Sequence, residues 1–236
     1  AIMKSLYDHK QNNHLDSLHL SINHHGDSVN YQFRNGLPSN ISNALNQMSK
    51  SVTLSSNNKL KISVCHSEPG AWHPANYHTS QCPPAEFFRE PEVNTTYYKI
   101  GRTMFETDRL PNGWSDRCNL MDEIWVPSDF HIEIFKEAGV NSTKIFKIPE
   151  PVDIDSFDKQ KTISLNLEKY IASEFGLKTN ITKEYRFLSI FKWETRKAWD
   201  ILLESYFTEF AGQNDTTLYL LTQPYHNKPN FMENIW

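Results

Sequence analysis

The segment from Ile100 to Asp153 constrains the fold most, because short runs of strand-forming residues alternate in it with runs of helical spacing. In its middle, DEIWVPS is an apolar strand-forming run that breaks at Pro127. Ser128 then sits where a helix cap is expected, before apolar residues at helical spacing: Ile132, Phe135 and Ala138. Gly139 is predicted to stop this helix, and KIFKIPEPVD is predicted to form the next strand. The alternation predicts an α/β fold with a parallel sheet, whose strand ends carry polar side chains at crevice positions: Glu106, Asp108, Ser128, Glu150 and Asp153.

The remaining elements are predicted more coarsely. The first clear strand is predicted over residues 18–24, a helix over 38–50 and a strand over 60–65. The segment between Cys65 and Tyr97, which is rich in Pro, His and Glu, is predicted to be a loop over the crevice. Residues 156–184 combine a predicted helix, ISLNLEKYIASEFG, with a polar run typical of a linker. After Tyr185 follow the strand RFLSIF, the helix RKAWDILLESYFTEFAG and the strand TTLYLLT.

Composition excludes several classes of function. With 236 residues, of which 38% are hydrophobic and 13% aromatic, the chain can bury the core of one large or two small domains. A net charge of -4 gives no overall basic field, so no nucleic-acid partner is expected. No run approaches the ~20 apolar residues of a membrane helix, so no transmembrane segment is expected. A P-loop, a dinucleotide-binding fingerprint and a G-x-S-x-G elbow are absent from the sequence.

Five segments occur in an order that resembles a known family: RTMFETDRLP, CNLMDEIWVPSDF, AGV, KIPEPVDIDSF and FLSIFKWETRKAWDILLESYFTEF. They resemble the retaining, nucleotide-sugar-dependent glycosyltransferases of the GT-B fold, in the broad group-one (family four) set, and the resemblance covers most of the chain from about Lys61 onward. It implies two Rossmann-like domains with parallel sheets: an acceptor domain over 1–155, a linker or insertion over 156–184, and the first part of a nucleotide-sugar-binding domain over 185–236. Both ends are expected to be truncated, and the fragment alone is expected to be inactive.

The resemblance implies hexosyl transfer from a nucleoside diphosphate sugar, with retention of anomeric configuration, to a sugar, lipid or protein acceptor. Lys192 and Lys197 match the family positions that contact the donor diphosphate, and Arg196 lies beside them. Two cations near a helix N-terminus suit a pyrophosphate. The family usually has a glycine after the lysine, and Ala198 stands there in this chain. The competing interpretation is a solvated charged turn before an amphipathic helix.

On the acceptor side, the resemblance assigns His66, at the end of a buried-looking strand, to contact with the transferred sugar. A histidine also suits proton handling because its pKa lies near neutrality. Glu106 and Asp108 are expected to orient acceptor hydroxyls, with Arg102 pairing one of them. The alternatives are a structural histidine that caps a loop and a loop held only by salt bridges.

A metal site is the main competing chemistry. The spacing of five residues permits a zinc site but lacks the usual paired ligands: Cys65, His66, His73, His78 and Cys82. Asp153 and Asp155 form a D-x-D that lies in a proline-rich loop, where it is interpreted as a helix-start signal. No metal and no cofactor besides the donor substrate are expected, because Lys192 and Lys197 can stabilise the leaving diphosphate. The alternative function is a non-catalytic binding module of the GT-B type, and a hydrolase is a more distant one.

The three cysteines fit either a reduced cytosol or one disulfide, with Cys65 and Cys82 as the local candidate pair. Sequons for N-glycosylation occur at five positions: Asn40, Asn94, Asn141, Asn180 and Asn214. In a chain rich in Asn, Ser and Thr they are a weak signal. A cytoplasmic location is therefore preferred, with the lumen of the endoplasmic reticulum or Golgi as the alternative.

Overall fold

The computed structural model describes residues 2–23, 35–49, 59–76, 81–91, 93–152, 154–155, 157–176, 185–213 and 215–224. The fold is mixed α/β, with a four-stranded parallel sheet and a two-stranded parallel sheet. The chain divides into two compact units, Ala1–Phe157 and Asp158–Trp236. The predicted fold class is confirmed at this level, since both sheets are parallel.

The four-stranded sheet belongs to the first unit. Its strands are β1 (Lys59–His66), β2 (Thr95–Arg102), β3 (Glu123–Val126) and β4 (Ile145–Lys147). They are hydrogen-bonded in the order β1-β2-β3-β4, and every neighbouring pair is parallel. All four strands therefore end at the same edge of the sheet.

Among its described residues, the first unit has the helices α1 (Ile2–Asn12), α2 (Ser39–Met48), α3 (Trp114–Asn119) and α4 (Asp129–Glu137). α3 connects β2 to β3, and α4 connects β3 to β4, as parallel strands require. Gly139 follows the C-cap residue of α4, Ala138, and its φ of 90° is a conformation that glycine adopts without steric cost. This confirms the predicted stop of that helix.

The core of the first unit lies between one face of the sheet and the segments that connect the strands. Its fully buried side chains include Trp72, Ile124 and Phe135, and α3 contributes Cys118. Gly101 of β2 leaves room for Trp72, because a Cβ atom at this position would lie 2.2 Å from a ring carbon of the tryptophan. This close approach explains why a strand interior here contains a glycine.

The segment between β1 and β2 is held by a disulfide. Cys65, in β1, is bonded to Cys82, with a sequence separation of 17. Trp72 pairs with Cys82 in an isolated bridge, and two short 3-10 turns, Pro69–Ala71 and Ala85–Phe88, shape the rest. Of the two predicted states of the cysteines, the structure has the disulfide, with Cys118 as a buried free thiol.

The second unit contains a parallel strand-helix-strand arrangement. α5 (Leu167–Phe175) precedes β5 (Tyr185–Trp193), which leads through a 3-10 turn into α6 (Trp199–Glu209) and then β6 (Thr216–Pro224). β5 and β6 pair along their full lengths. The ring of Phe187 in β5 lies 6.1 Å from Tyr206 and 5.2 Å from Phe210, measured between ring centroids, which fixes α6 on the sheet.

The prediction of a strand over residues 18–24 is wrong for residues 18–23, the part of it that the structure describes. Residues 18–23 carry no strand, and Ile22 donates a backbone hydrogen bond to the carbonyl of Met48 at the end of α2. His24 lies outside the described residues. The alternating apolar residues predicted a strand, but no strand in the described residues pairs with this segment. No helix in the described part of the chain is long and apolar enough to span a bilayer.

Candidate functional site

Polar side chains collect where the four parallel strands of the first unit end. We call this the carboxyl edge and define it by the residues at or just after the strand ends: His66, Arg102, Thr103, Ser128 and Glu150. Open parallel sheets bind ligands at this edge, because the loops that follow the strands leave crevices there.

Arg102 is the centre of the carboxyl edge. Only 3% of the residue is exposed. Its Nη1 donates to Nε2 of His66 at 3.2 Å, and its Nη2 lies 2.9 Å from Oε2 of Glu150. Its Nε is buried and has no hydrogen-bond partner among the described residues. A buried guanidinium is normally fully paired, so Arg102 retains an unused donor at this edge.

The contact with Arg102 sets the protonation state of His66. Because arginine can only donate hydrogen bonds, Nε2 of His66 must accept, and the ring proton then resides on Nδ1. Partial burial, followed by the charge of Arg102, lowers the pKa of His66, while the charge of Glu150 opposes this shift. His66 is therefore a neutral imidazole at neutral pH, and its Nδ1–H is a hydrogen-bond donor.

A second polar group lies after β2 and β3. Ser128 is the N-cap residue of α4, as predicted, but its hydroxyl lies 2.7 Å from Nδ1 of His131 and does not bond a helix amide. Burial lowers the pKa of His131, opposed by an interaction with the backbone of Phe105. The hydroxyl of Thr103 is buried without a hydrogen-bond partner among the described residues.

Sequence reasoning did not select Thr103 or His131. The available signal for His131 was its position three residues after the helix cap, where capping-box side chains reach back to the cap residue. Thr103 carried no signal of its own. Its backbone nitrogen donates to the carbonyl of Trp125 in the neighbouring strand at 3.0 Å.

Asp108 and Glu106 lie in the exposed loop that follows β2. Asp108 forms an ion pair with Arg109 at 3.2 Å, and the hydrogen bond from Arg109 lowers its pKa. Asp108 also lines a pocket of about 400 Å³ with Ile134 and Ala138 of α4 and its flanks. The carboxylate that lies 2.9 Å from Arg102 belongs to Glu150. Among the described residues, Asp108 forms no hydrogen bond or ion pair with Arg102 or His66.

The predicted donor residues surround the turn between β5 and α6. Lys192 lies near the end of β5, and Arg196 and Lys197 lie in the 3-10 turn Thr195–Lys197. All three residues are exposed. Nε of Arg196 donates to Oε2 of Glu194 at 2.8 Å, whereas Lys192 and Lys197 form no ion pair with any described residue. We call Lys192–Lys197 the basic turn.

The basic turn ends in a constrained backbone conformation. Ala198, the N-cap residue of α6, has φ 52° and ψ 41°, in the left-handed region that favours glycine. The rings of Trp193 and Trp199 stack across the turn with centroids 4.5 Å apart. The turn therefore directs the chain from strand to helix in the geometry that a glycine would adopt, although an alanine occupies the position.

The basic turn can bind an anion electrostatically. The first amides of a helix have no intrahelical acceptor, and the helix dipole favours negative charge at its N-terminus. Two lysines without ion pairs in the described structure add formal positive charge at the same end of α6. These groups suit a phosphate or diphosphate.

No group of three or more His, Cys, Asp or Glu residues in the described part of the chain is arranged to hold a metal ion. Two of the five candidate zinc ligands, Cys65 and Cys82, are bonded to each other in the disulfide, so neither can provide a thiolate ligand. His78 and Asp153 lie outside the described residues. Burial raises the pKa of Cys118 to about 12, so this thiol stays protonated.

Comparison of the chain with protein-family models, with curated proteins and with solved structures found no match.

Proposed function

We infer that the chain is part of a retaining glycosyltransferase of the GT-B type, which transfers a hexosyl group from a nucleoside diphosphate sugar. In this proposal the first unit holds the acceptor and the second begins the donor domain. The basic turn carries the proposal, because Lys192 and Lys197 lie without ion pairs in the described structure at the N-terminus of α6, directly after a parallel strand. A leaving diphosphate needs fixed positive charge of this kind when no metal assists it.

The conformation of Ala198 supports the same proposal. The resemblance places a glycine at this position, and the left-handed backbone of Ala198 is the conformation for which a glycine would be chosen. Ala198 therefore adopts the backbone conformation of a glycine, although it departs from the residue that the family usually has there.

The carboxyl edge supports a role for the first unit in binding a polar substrate. Sugars bind through hydrogen bonds to hydroxyl groups, and charged partners make the strongest of these. Arg102 offers a buried donor that no described residue uses, Thr103 offers a buried hydroxyl, and neutral His66 offers the donor on Nδ1. In this proposal His66 contacts the transferred sugar, and Glu106 and Asp108 orient acceptor hydroxyls from the loop after β2.

The decisive experiment is isothermal titration calorimetry of nucleoside diphosphate sugars with the full-length protein and its Lys197→Ala variant. A charge-assisted contact to phosphate is worth about 1.5–3 kcal/mol, so the affinity should fall about ten- to a hundredfold. Lys197→Arg should retain most of the affinity, since it keeps the charge.

The matched control is Lys169→Ala, which removes an exposed lysine from α5 in the same unit. Its affinity should equal that of the wild type, because the general attraction of an exposed charge outside the basic turn is screened by salt. Equal affinity of the Lys197→Ala variant and the wild type would remove the basis of the proposal. Donor binding without hydrolysis or transfer of the sugar would instead identify a non-catalytic binding module of the same fold.

A further inference from the structure

The sequon Asn141-Ser142-Thr143 forms an ordered turn on the surface of the first unit. Asn141 is exposed and is the N-cap residue of the 3-10 turn Ser142–Lys144. Its Oδ1 accepts hydrogen bonds from the backbone nitrogen of Thr143 at 3.0 Å and from Oγ1 of Thr143 at 2.9 Å. The turn is fixed to α3, since the backbone nitrogen of Asn141 donates to Oδ1 of Asn119 at 2.9 Å.

This geometry leaves the side-chain nitrogen of Asn141 available. Within the described residues both hydrogen bonds of the Asn141 side chain are accepted by Oδ1, and Nδ2 has no hydrogen-bond partner. A hydroxyl that donates to the amide oxygen withdraws electron density from the amide and makes the protons on Nδ2 more acidic. The contact spans three residues, so it can form in the chain before the sheet is assembled.

Asn141 differs from the asparagines of the other described sequons in the hydrogen bond between its side chain and the hydroxyl of the sequon. Asn40 lies inside α2, and Asn94 has φ 61° directly before β2. Neither shows a hydrogen bond between its side chain and the hydroxyl of its own sequon in the described structure, whereas Asn141 does. Asn180 and Asn214 lie outside the described residues.

The position of Asn141 leaves the carboxyl edge open. Asn141 precedes β4, whereas Glu150 follows it. Because the four strands are parallel, Asn141 lies toward the edge of the sheet opposite to His66 and Arg102. A large substituent on Asn141 would therefore project from the side where no candidate substrate contact lies.

The disulfide is an independent observation that points to N-glycosylation of this sequon. Cys65 is fully buried and bonded to Cys82. Disulfides of this kind form in the oxidising lumen of the secretory pathway and are rare in the cytosol. N-glycosylation takes place in the same lumen, on asparagines of surface sequons.

We propose that Asn141 is an N-glycosylation site and that the protein matures in the secretory lumen. The co-substrate is an oligosaccharide linked to a polyprenyl diphosphate. Nδ2 of Asn141 releases one proton to the solvent and forms a bond to the anomeric carbon, while the bond between that carbon and the diphosphate oxygen breaks. The electron pair of the broken bond leaves with the polyprenyl diphosphate, and no group is oxidised or reduced.

The test is peptide mapping of the full-length protein purified from its natural source, before and after treatment with N-glycanase. The enzyme removes an N-linked glycan and converts the attached asparagine to aspartate. We expect conversion at Asn141. Recovery of the peptide that contains Asn141 only in its unmodified form overturns the proposal.

Variants in a secreted expression of the full-length protein separate the site from its neighbours. Asn141→Gln and Thr143→Ala should each remove the glycan, since one lacks the acceptor nitrogen and the other lacks the hydroxyl. Thr143→Ser and Ser142→Ala, which preserve the sequon, should retain it. A glycan pattern that is identical in Asn141→Gln and the wild type also overturns the proposal.

Discussion

Ala198 adopts a backbone conformation that its side chain disfavours. Its φ of 52° is one of three positive values among non-glycine residues in the described ranges. A left-handed conformation costs an L-residue about 1–2 kcal/mol, which glycine avoids. Glycine also gains about 0.4–1 kcal/mol of conformational freedom in the unfolded chain, which opposes the benefit.

We therefore predict that Ala198→Gly raises the free energy of unfolding of the second unit by about 0.5–1 kcal/mol. Urea denaturation measures this change. The matched control is Ala172→Gly, which places a glycine at an exposed, right-handed position inside α5. It should lower the stability by about 0.5–1 kcal/mol. If both substitutions destabilise the protein equally, the strain assigned to Ala198 is absent.

The same residues mark how far the sequence could predict the site. The basic residues of the turn are adjacent in sequence, so their position between a strand and a helix followed from local periodicity. The contact of Arg102 with Glu150 could not be predicted from local periodicity. It joins the ends of β2 and β4, which are separated by β3 in the sheet. Such contacts depend on strand order and register, which a single sequence does not specify.

At the scale of elements, the connection between β1 and β2 depends on its disulfide. The segment between the two strands contains two 3-10 turns but no long helix in its described residues. Cys65 is fully buried beside Trp72 in the core, so the disulfide ties this segment to the sheet. A cross-link that closes a loop of this length contributes about 3 kcal/mol, mainly by restricting the unfolded chain.

We predict that Cys82→Ala lowers the free energy of unfolding by about 2–4 kcal/mol in urea denaturation under non-reducing conditions. A reducing agent should shift the wild-type transition to lower urea concentration and leave the variant unchanged. The control is Cys118→Ala, which removes the buried free thiol and keeps the disulfide. This variant should remain sensitive to the reducing agent. A wild-type midpoint that does not respond to complete reduction would contradict the assigned role of the disulfide.

Elements with strong local signals were predicted well, and those without them were not. β1, α2 and α4 have apolar residues at regular spacing, and the structure has them within a few residues of the predicted bounds. Residues 18–23 have alternating apolar residues, as β1 does, but form no strand. A strand needs a neighbouring strand to pair with, and the sequence pattern does not reveal one. The 3-10 turns around the disulfide lack any periodicity, so the sequence indicated only an irregular segment there.

At the scale of the whole molecule, the chain forms two compact units that meet in sequence between Phe157 and Asp158. Residues 158–166 contain no helix or strand, and nearly all of them are exposed. Local hydrogen bonds, such as those from Lys161 and Thr162 to the carbonyl of Asp158, are the backbone contacts of this segment in the described structure. Proteases cleave exposed chain that is not held in a sheet or helix.

We therefore predict that limited trypsin digestion cleaves first after Lys159 or Lys161. These lysines lie in the exposed segment, whereas Lys99 is in a central strand and Lys144 is anchored to the carbonyls of Asn119 and Met121. Mass spectrometry of early time points should detect two products that divide within residues 158–166. The double variant Lys159→Gln and Lys161→Gln should slow this first cut without slowing later ones. If the first cuts fall inside β2, β3 or α4, the two units do not have separate cores, because a cut in these elements requires unfolding of the first unit before the connecting segment is cleaved.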